Sequence, residues 1–139
     1  MKVTDETRKA RRKGKGGTNE FFTPASLVNK MCDKISDEDW SDPVKTFLEP
    51  CAGNGNFVVE IIRRRLAHGV DWVTALETLY CVELMADNVA ELKERVIALL
   101  QELVPGGIDV VQASSIMKHN IVCSDFFKWD FEHWCPIDK

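Results

Sequence analysis

Apolar and polar positions along the chain predict short buried strands that alternate with amphipathic helices. The predicted strands are VKTFLE (44–49), LYCVEL (79–84) and HNIVCSDFF (119–127). The predicted helices, with apolar residues at helical spacing, are 24–35, 56–67, 71–78 and 85–104. This alternation is typical of an open α/β sheet with parallel strands.

Residues near the ends of these elements predict the start of the fold and the nature of its connecting segments. Thr23 can cap the first helix, with Pro24 at its first position. The stretch 36–43 is polar and predicts a connector, and 128–139 is predicted to be a tail. Trp129 and Trp134 in this tail are expected to cover an open sheet edge or to form a partner interface.

Composition restricts the class of protein. A chain of 139 residues, 45% of them apolar, is expected to form one domain with a real core, and it has no apolar run long enough for a membrane span. Five cysteines occur without a C-x-x-C pair, and the histidines are far apart. We therefore expect reduced thiols in a cytoplasmic protein that holds no metal.

Charge is unevenly distributed along the chain. Residues 1–15 carry seven basic and two acidic residues, while the whole chain has a net charge of −4. We therefore expect a flexible basic arm over 1–17 and an acidic folded domain over 18–139. The stretch Arg8–Lys15 could contact nucleic-acid phosphates weakly or serve as a solubilising tail. The arginines at 63–65 are expected on a solvated helix face.

The stretch EPCAGNGNF (49–57) lies between the first predicted strand and the helix after it. Gly53 and Gly55 allow backbone conformations that a β-carbon disfavours, and they allow a ligand to lie against the chain. A tight turn that binds nothing is the alternative. The dinucleotide pattern G-x-G-x-x-G lacks its third glycine here, and no G-K-[ST] of a phosphate-binding loop occurs after it.

Acidic residues at the predicted strand ends indicate the kind of ligand. Glu49 would repel a pyrophosphate but suits a cation, such as the amino group or sulfonium of S-adenosylmethionine. Glu83 is placed to accept hydrogen bonds from both ribose hydroxyls of an adenosine, or is a solvated loop carboxylate. Asp125 can accept from an adenine amine or cap a turn, and Phe126 can lie on the adenine or belong to the core.

The order NEFFTP, FLEPCAGNGNF, CVEL and CSDFF resembles the amino-terminal half of adenine-specific (N6) DNA methyltransferases, in particular those of restriction-modification systems. The resemblance covers roughly residues 18–131. It implies a Rossmann-like S-adenosylmethionine-dependent methyltransferase fold with a parallel sheet, here incomplete. The residues that it implies in cofactor binding are Phe22, Thr23, Pro24, Glu49, Cys51, Gly53, Gly55, Glu83, Leu84, Asp125 and Phe126.

Each group of these residues has an implied role. The segment 22–24 would close over the methionine part of S-adenosylmethionine, and residues 49–55 would hold its amino acid and sulfonium region. Glu83 and Leu84 would bind the ribose, and the pair 125–126 would bind the adenine.

The catalytic motif of the resembled family, N/D-P-P-Y/F, does not occur in this sequence. The catalytic residues are therefore unknown, and the chain by itself is expected to be inactive. Three alternatives stay open: part of an adenine methyltransferase, a cofactor-binding regulator or decoy, and a small-substrate methyltransferase. We expect DNA to be reached through a partner or missing half, together with a protein partner or self-association and no membrane.

Overall fold

The computed structural model describes residues 22–138, which form a mixed α/β fold. The helices are α1 Ala25–Cys32, α2 Asp37–Ser41, α3 Asn56–Ala67, α4 Trp72–Glu77, α5 Ala86–Leu103 and α6 Val110–Asn120. The strands are β1 Phe47–Glu49, β2 Leu79–Glu83, β3 Ile121–Cys123, β4 Trp129–Asp130 and β5 Cys135–Pro136, and a 3₁₀ turn covers Phe126–Lys128.

A three-stranded parallel sheet in the order β1-β2-β3 organises this fold. Leu48 lies opposite Tyr80, and Val82 lies opposite Val122, so β2 is the central strand. The predicted parallel sheet is therefore present in the described residues. Its three carboxyl ends lie at one edge, which is where open α/β sheets bind ligands.

The main core lies on one face of the sheet. Side chains alternate between the faces of a strand, and the odd-numbered positions Phe47, Leu79, Cys81 and Ile121 all pack with the helices. The opposite face carries Leu48, which is half exposed, and Tyr80. The parallel sheet is thus packed by the main hydrophobic cluster on one side only.

Aromatic residues of the predicted tail pack on that second face. The ring of Trp134 meets the ring of Tyr80 edge-on at 4.9 Å and the ring of Trp129 at 5.2 Å. The indole nitrogen of Trp134 also donates to the carbonyl oxygen of His119 at 2.8 Å. Residues 129–136 of the predicted tail therefore form a short hairpin, and its Trp134 packs on the central strand.

The predicted ends of helices and strands agree best with the observed ends where the sequence has strong periodicity and clear stop residues. The predicted helix 56–67 has the observed bounds of α3, and Gly69 lies just after it with φ +88°. Pro24 occupies the N-cap of α1, so the prediction that Thr23 caps and Pro24 begins the helix was wrong by one residue. The third strand is only Ile121–Cys123, because α6 extends to Asn120 and a turn comes after the strand.

The connector between α1 and β1 is more ordered than predicted. It contains α2, whose N-cap Ser36 accepts a hydrogen bond from the Asp39 amide at 3.1 Å. Arg65, expected on a solvated face, is 1% exposed and donates to the carbonyl oxygens of Trp40 and Asp42. The solvated-face prediction was therefore wrong for Arg65, because the connector folds over it.

The predicted basic arm 1–17 and its nucleic-acid contact through Arg8–Lys15 lie outside the described residues. Within residues 22–138, no helix combines the length and apolar character that a membrane crossing requires.

Candidate functional site

The loop EPCAGNGNF connects β1 to α3 and is held by backbone hydrogen bonds. The Ala52 amide donates to the Val82 carbonyl oxygen at 2.9 Å, which ties the loop to β2. The Gly55 amide donates to the Ala52 carbonyl oxygen at 3.1 Å, which closes the turn. The loop is therefore fixed against the end of the neighbouring strand.

Both glycines of the loop have positive φ, and each is in contact with another part of the protein. Gly53 has φ +58°, and a β-carbon there would lie 2.9 Å from the ring of Phe22. Gly55 has φ +102°, and a β-carbon there would collide with the Cδ1 atom of Leu92 on α5. The requirement for small residues is thus explained in part by the protein's own side chains.

We expect Gly55→Ala to lower the free energy of unfolding by about 2–3 kcal/mol, from left-handed strain and from the collision with Leu92. Leu92 is fully buried, so its side chain has little room to move away. Chemical denaturation of the variant measures the loss.

Gly69→Ala is the matched control for this change. Gly69 also has positive φ, at +88°, but a β-carbon there would meet nothing within 4 Å. It should cost only the strain, about 1 kcal/mol. Equal losses in the two variants would contradict close packing of α5 against the loop.

Glu83 at the end of β2 joins the loop to α5. Its carboxylate accepts from the Gly53 amide at 3.0 Å, the Met85 amide at 2.8 Å and the Asn88 side-chain amide at 3.1 Å. Glu83 is 8% exposed, and Asn88 is fully buried. The carboxylate is therefore a structural bridge as well as a candidate ligand group.

Glu49 at the end of β1 is a partly buried carboxylate. One oxygen accepts from the Cys51 amide at 3.3 Å. Burial raises the pKa of Glu49 above its ordinary value, and the Cys51 hydrogen bond opposes this rise. Burial and the two nearby carboxylates, Glu49 and Glu83, also raise the pKa of the Cys51 thiol. A cation would therefore be stabilised here, whereas a thiolate would not.

The end of β3 lies beside the end of β2. The Ser124 amide donates to the Glu83 carbonyl oxygen at 3.0 Å. Asp125 caps the following 3₁₀ turn by accepting from the Phe127 amide at 2.9 Å, so the turn-cap alternative is present in the structure. Phe126 is 41% exposed and Leu84 is 53% exposed, so both have surface available for contact.

The segment 22–24 lies against the glycine loop. The ring of Phe22 faces Gly53, and the Thr23 carbonyl oxygen accepts from the Asn56 side-chain amide at 2.8 Å. Pro24 leads into α1. These contacts join Glu83 and the segment 22–24 to the glycine loop, and the Ser124 amide joins the end of β3 to Glu83. Ligand contact by any of the predicted site residues stays a prediction.

Sequence reasoning did not assign Asn56, Asn88, Leu92 or Arg95 to the site. Asn56 begins α3, and the other three lie on α5. Their spacing of three to four residues on a helix that comes after Glu83 was the available signal, but it does not show which face meets the loop. Among the described residues, no three His, Cys, Asp or Glu side chains are arranged to hold a metal ion.

The fold and the site together define a mixed α/β domain with a parallel sheet, compatible with a Rossmann-like fold, and with a loop site at the strand ends. An uncharacterized adenine-specific methylase of Mycoplasma pneumoniae is 41% identical to the chain over 51 residues. The aligned part is 34% of this chain and 12% of that protein, so the chain spans a small fraction of its relative. The similarity supports a methylase at this coarse level. No protein-family model and no solved structure matches the chain.

Proposed function

We propose that this chain is the S-adenosylmethionine-binding part of a site-specific DNA adenine-N6 methyltransferase of the restriction-modification type. The observation that carries the proposal is the hydrogen bond from the Gly53 amide to Glu83. It closes the glycine loop against the neighbouring strand end, in the region where open α/β sheets bind ligands. The partial similarity to a methylase supports the same class of reaction.

The acceptors present in the loop fit the cationic end of this cofactor. Glu49 is a partly buried carboxylate with a raised pKa, and a nearby positive charge would favour its ionised form. The side-chain oxygen of Asn54 is buried and has no hydrogen-bond partner among the described residues. An ammonium group supplies both a charge for Glu49 and N–H donors.

Glu83 has limited capacity for the ribose. An ionised carboxylate offers about four acceptor positions, and three are used by Gly53, Met85 and Asn88. We therefore expect Glu83 to accept one further hydrogen bond from a ribose hydroxyl. Accepting from both hydroxyls would require one of the present donors to move.

Bound S-adenosylmethionine would supply an electrophilic methyl group, and the chain's residues would hold it. The ring of Phe126 contacts the rings of Phe127 and Phe131, and its remaining exposed surface would stack on the adenine beside the Asp125 carboxylate. Phe22, over Gly53, would cover the methionine part. Because the N/D-P-P-Y/F motif is absent from the sequence, base binding and proton removal would depend on residues supplied by a partner or missing half.

A second candidate function is that of a catalytically inactive regulator or decoy that binds the same cofactor. Both candidates share the site described above and differ in what they associate with. A methylation assay on DNA with a catalytic partner would separate them, since a decoy lowers methyl transfer and a true part restores it.

Calorimetric titration of the purified chain with S-adenosylmethionine tests the proposal. We expect saturable binding at one site, and weaker binding of S-adenosylhomocysteine because its sulfur is neutral. If the chain unfolds cooperatively, and is therefore folded, but binds neither compound, the proposal is wrong.

We expect Glu49→Gln to stabilise the ligand-free chain by about 0.5–1 kcal/mol near neutral pH while weakening its binding of S-adenosylmethionine. The pKa of Glu49 is higher in the folded state, so its ionised form opposes folding. This penalty is complete above the raised pKa and disappears as the pH falls below the ordinary glutamate value. Urea unfolding of both proteins across this pH range measures the difference.

Glu102→Gln serves as the control, because Glu102 is exposed near the end of α5, away from β1. A stability gain in Glu49→Gln that stays the same at acid pH would contradict the assigned cause.

A further inference from the structure

Helix α5 contacts the glycine loop through two side chains that are three residues apart. Leu92 fills the space beside Gly55. Arg95 donates from one guanidinium nitrogen to the Asn54 carbonyl oxygen at 2.9 Å and to the Asn56 side-chain oxygen at 3.0 Å. The same group therefore holds the residues on both sides of Gly55.

Asn56 extends this contact to the segment 22–24. Its side-chain nitrogen donates to the Thr23 carbonyl oxygen at 2.8 Å while its oxygen accepts from Arg95. Only one orientation of the amide satisfies both hydrogen bonds, so Arg95 also fixes which way Asn56 points. Thr23 is in turn next to Phe22, whose ring lies against Gly53.

We infer that Arg95 is a positioning residue for the cofactor site, acting directly on the glycine loop and, through Asn56, on the segment 22–24. The inference rests on the proposed function, since it assigns a role in cofactor binding. Arg95 holds the loop carbonyl at Asn54 in place and, through the Thr23 carbonyl, keeps Phe22 over Gly53. The glycine loop and Phe22 are thereby held in one arrangement before the ligand binds, which lowers the entropic cost of ordering them on binding.

An arginine suits this role better than a lysine. A planar guanidinium holds its N–H groups in fixed directions, so one nitrogen can point at both acceptors, whereas the three donors of an ammonium rotate on a flexible stem. Arg63 lines the same two surface recesses as Arg95, of about 220 and 180 Å³. It is hydrogen-bonded to Glu60 on its own helix at 2.8 Å, which makes it a matched control.

Titration with S-adenosylmethionine tests the inference in four proteins: wild type, Arg95→Met, Arg95→Lys and Arg63→Met. We expect roughly tenfold weaker binding for Arg95→Met, partial recovery in Arg95→Lys and unchanged binding in Arg63→Met. Unfolding curves establish that each variant is folded. Wild-type affinity in folded Arg95→Met would overturn the inference and leave the proposed function standing.

A double-mutant cycle provides a readout that a general loss of stability would not give. If Asn56 acts by holding the segment 22–24, Phe22→Ala and Asn56→Ala should weaken binding non-additively, so that the double variant is little worse than the poorer single variant. Strictly additive losses would overturn the coupling. Absence of binding in the wild type would instead reject the proposed function, and the inference with it.

Discussion

Arg65→Ala is expected to lower the free energy of unfolding by about 3–5 kcal/mol, the largest stability effect that we predict. Arg65 is 1% exposed and forms hydrogen bonds to the connector between α1 and β1, which contains α2. It donates to the carbonyl oxygens of Trp40 at 2.9 Å, Asp42 at 2.6 Å and Lys45 at 3.3 Å. Truncation would remove the arginine donor from the buried Trp40 carbonyl oxygen and from the partly buried Lys45 carbonyl oxygen, while the Asp42 carbonyl oxygen would keep the Lys45 amide at 3.2 Å. Each buried acceptor left without a donor costs about 1–3 kcal/mol.

Arg65 also connects the connector to the sheet. It donates to the Thr78 hydroxyl oxygen at 3.2 Å, just before β2, and lies 5.1 Å from the ring centre of Phe47 in β1. Burial lowers the pKa of Arg65, and the charge of Asp42 opposes this, but guanidinium stays charged in the physiological range. Arg65 therefore stabilises the chain segment that leads into β1, the strand that ends at Glu49 just before the glycine loop.

Urea unfolding of Arg65→Ala and Arg63→Ala measures this effect against a matched control. Arg63 lies two residues earlier on the same helix, but it is half exposed and pairs with Glu60 at the surface. Its removal should change stability by no more than about 0.5 kcal/mol. Arg65→Lys should fall between the two, because an ammonium cannot reach all the acceptors. Equal losses at positions 63 and 65 would contradict the role assigned to Arg65.

Glu83→Ala is expected to weaken the binding of S-adenosylmethionine by roughly 100-fold or more, which corresponds to the loss of charge-assisted hydrogen bonds. The Gly53 amide would lose its carboxylate partner, and so would the Met85 amide at the start of α5. The ligand would lose its acceptor while the loop lost its attachment to the strand end. We also expect a fall of about 2 kcal/mol in the free energy of unfolding.

Glu83→Gln sharpens this experiment because it keeps the size of the side chain. A glutamine has one acceptor oxygen, and its NH₂ group would face an N–H donor of Gly53 or of Met85 and Asn88. Binding should therefore be weakened in this variant too, whereas Glu102→Ala should bind as the wild type does. Calorimetry is carried out at a temperature where all variants are folded, and wild-type affinity in Glu83→Gln would exclude Glu83 from the site.

Helix prediction succeeded where local signals agreed and failed where they were weak. Helix α3 has strong periodicity and Gly69 after its end, and its bounds were predicted correctly. Helix α6 was missed because it buries only a few residues, with Val110 and Val111 left exposed. Asp109, whose side chain accepts from the Gln112 amide, was a capping signal that could have indicated its start.

The sequence by itself determined the parallel sheet and the position of the glycine loop between β1 and α3. These features arise from local periodicity and from the alternation of strands with helices. Only the tertiary structure decided that Leu92 and Phe22 pack against the loop glycines and that Arg65 is buried. Such contacts join residues far apart in the chain, and a local pattern shows that a face is apolar or charged without showing what will cover it.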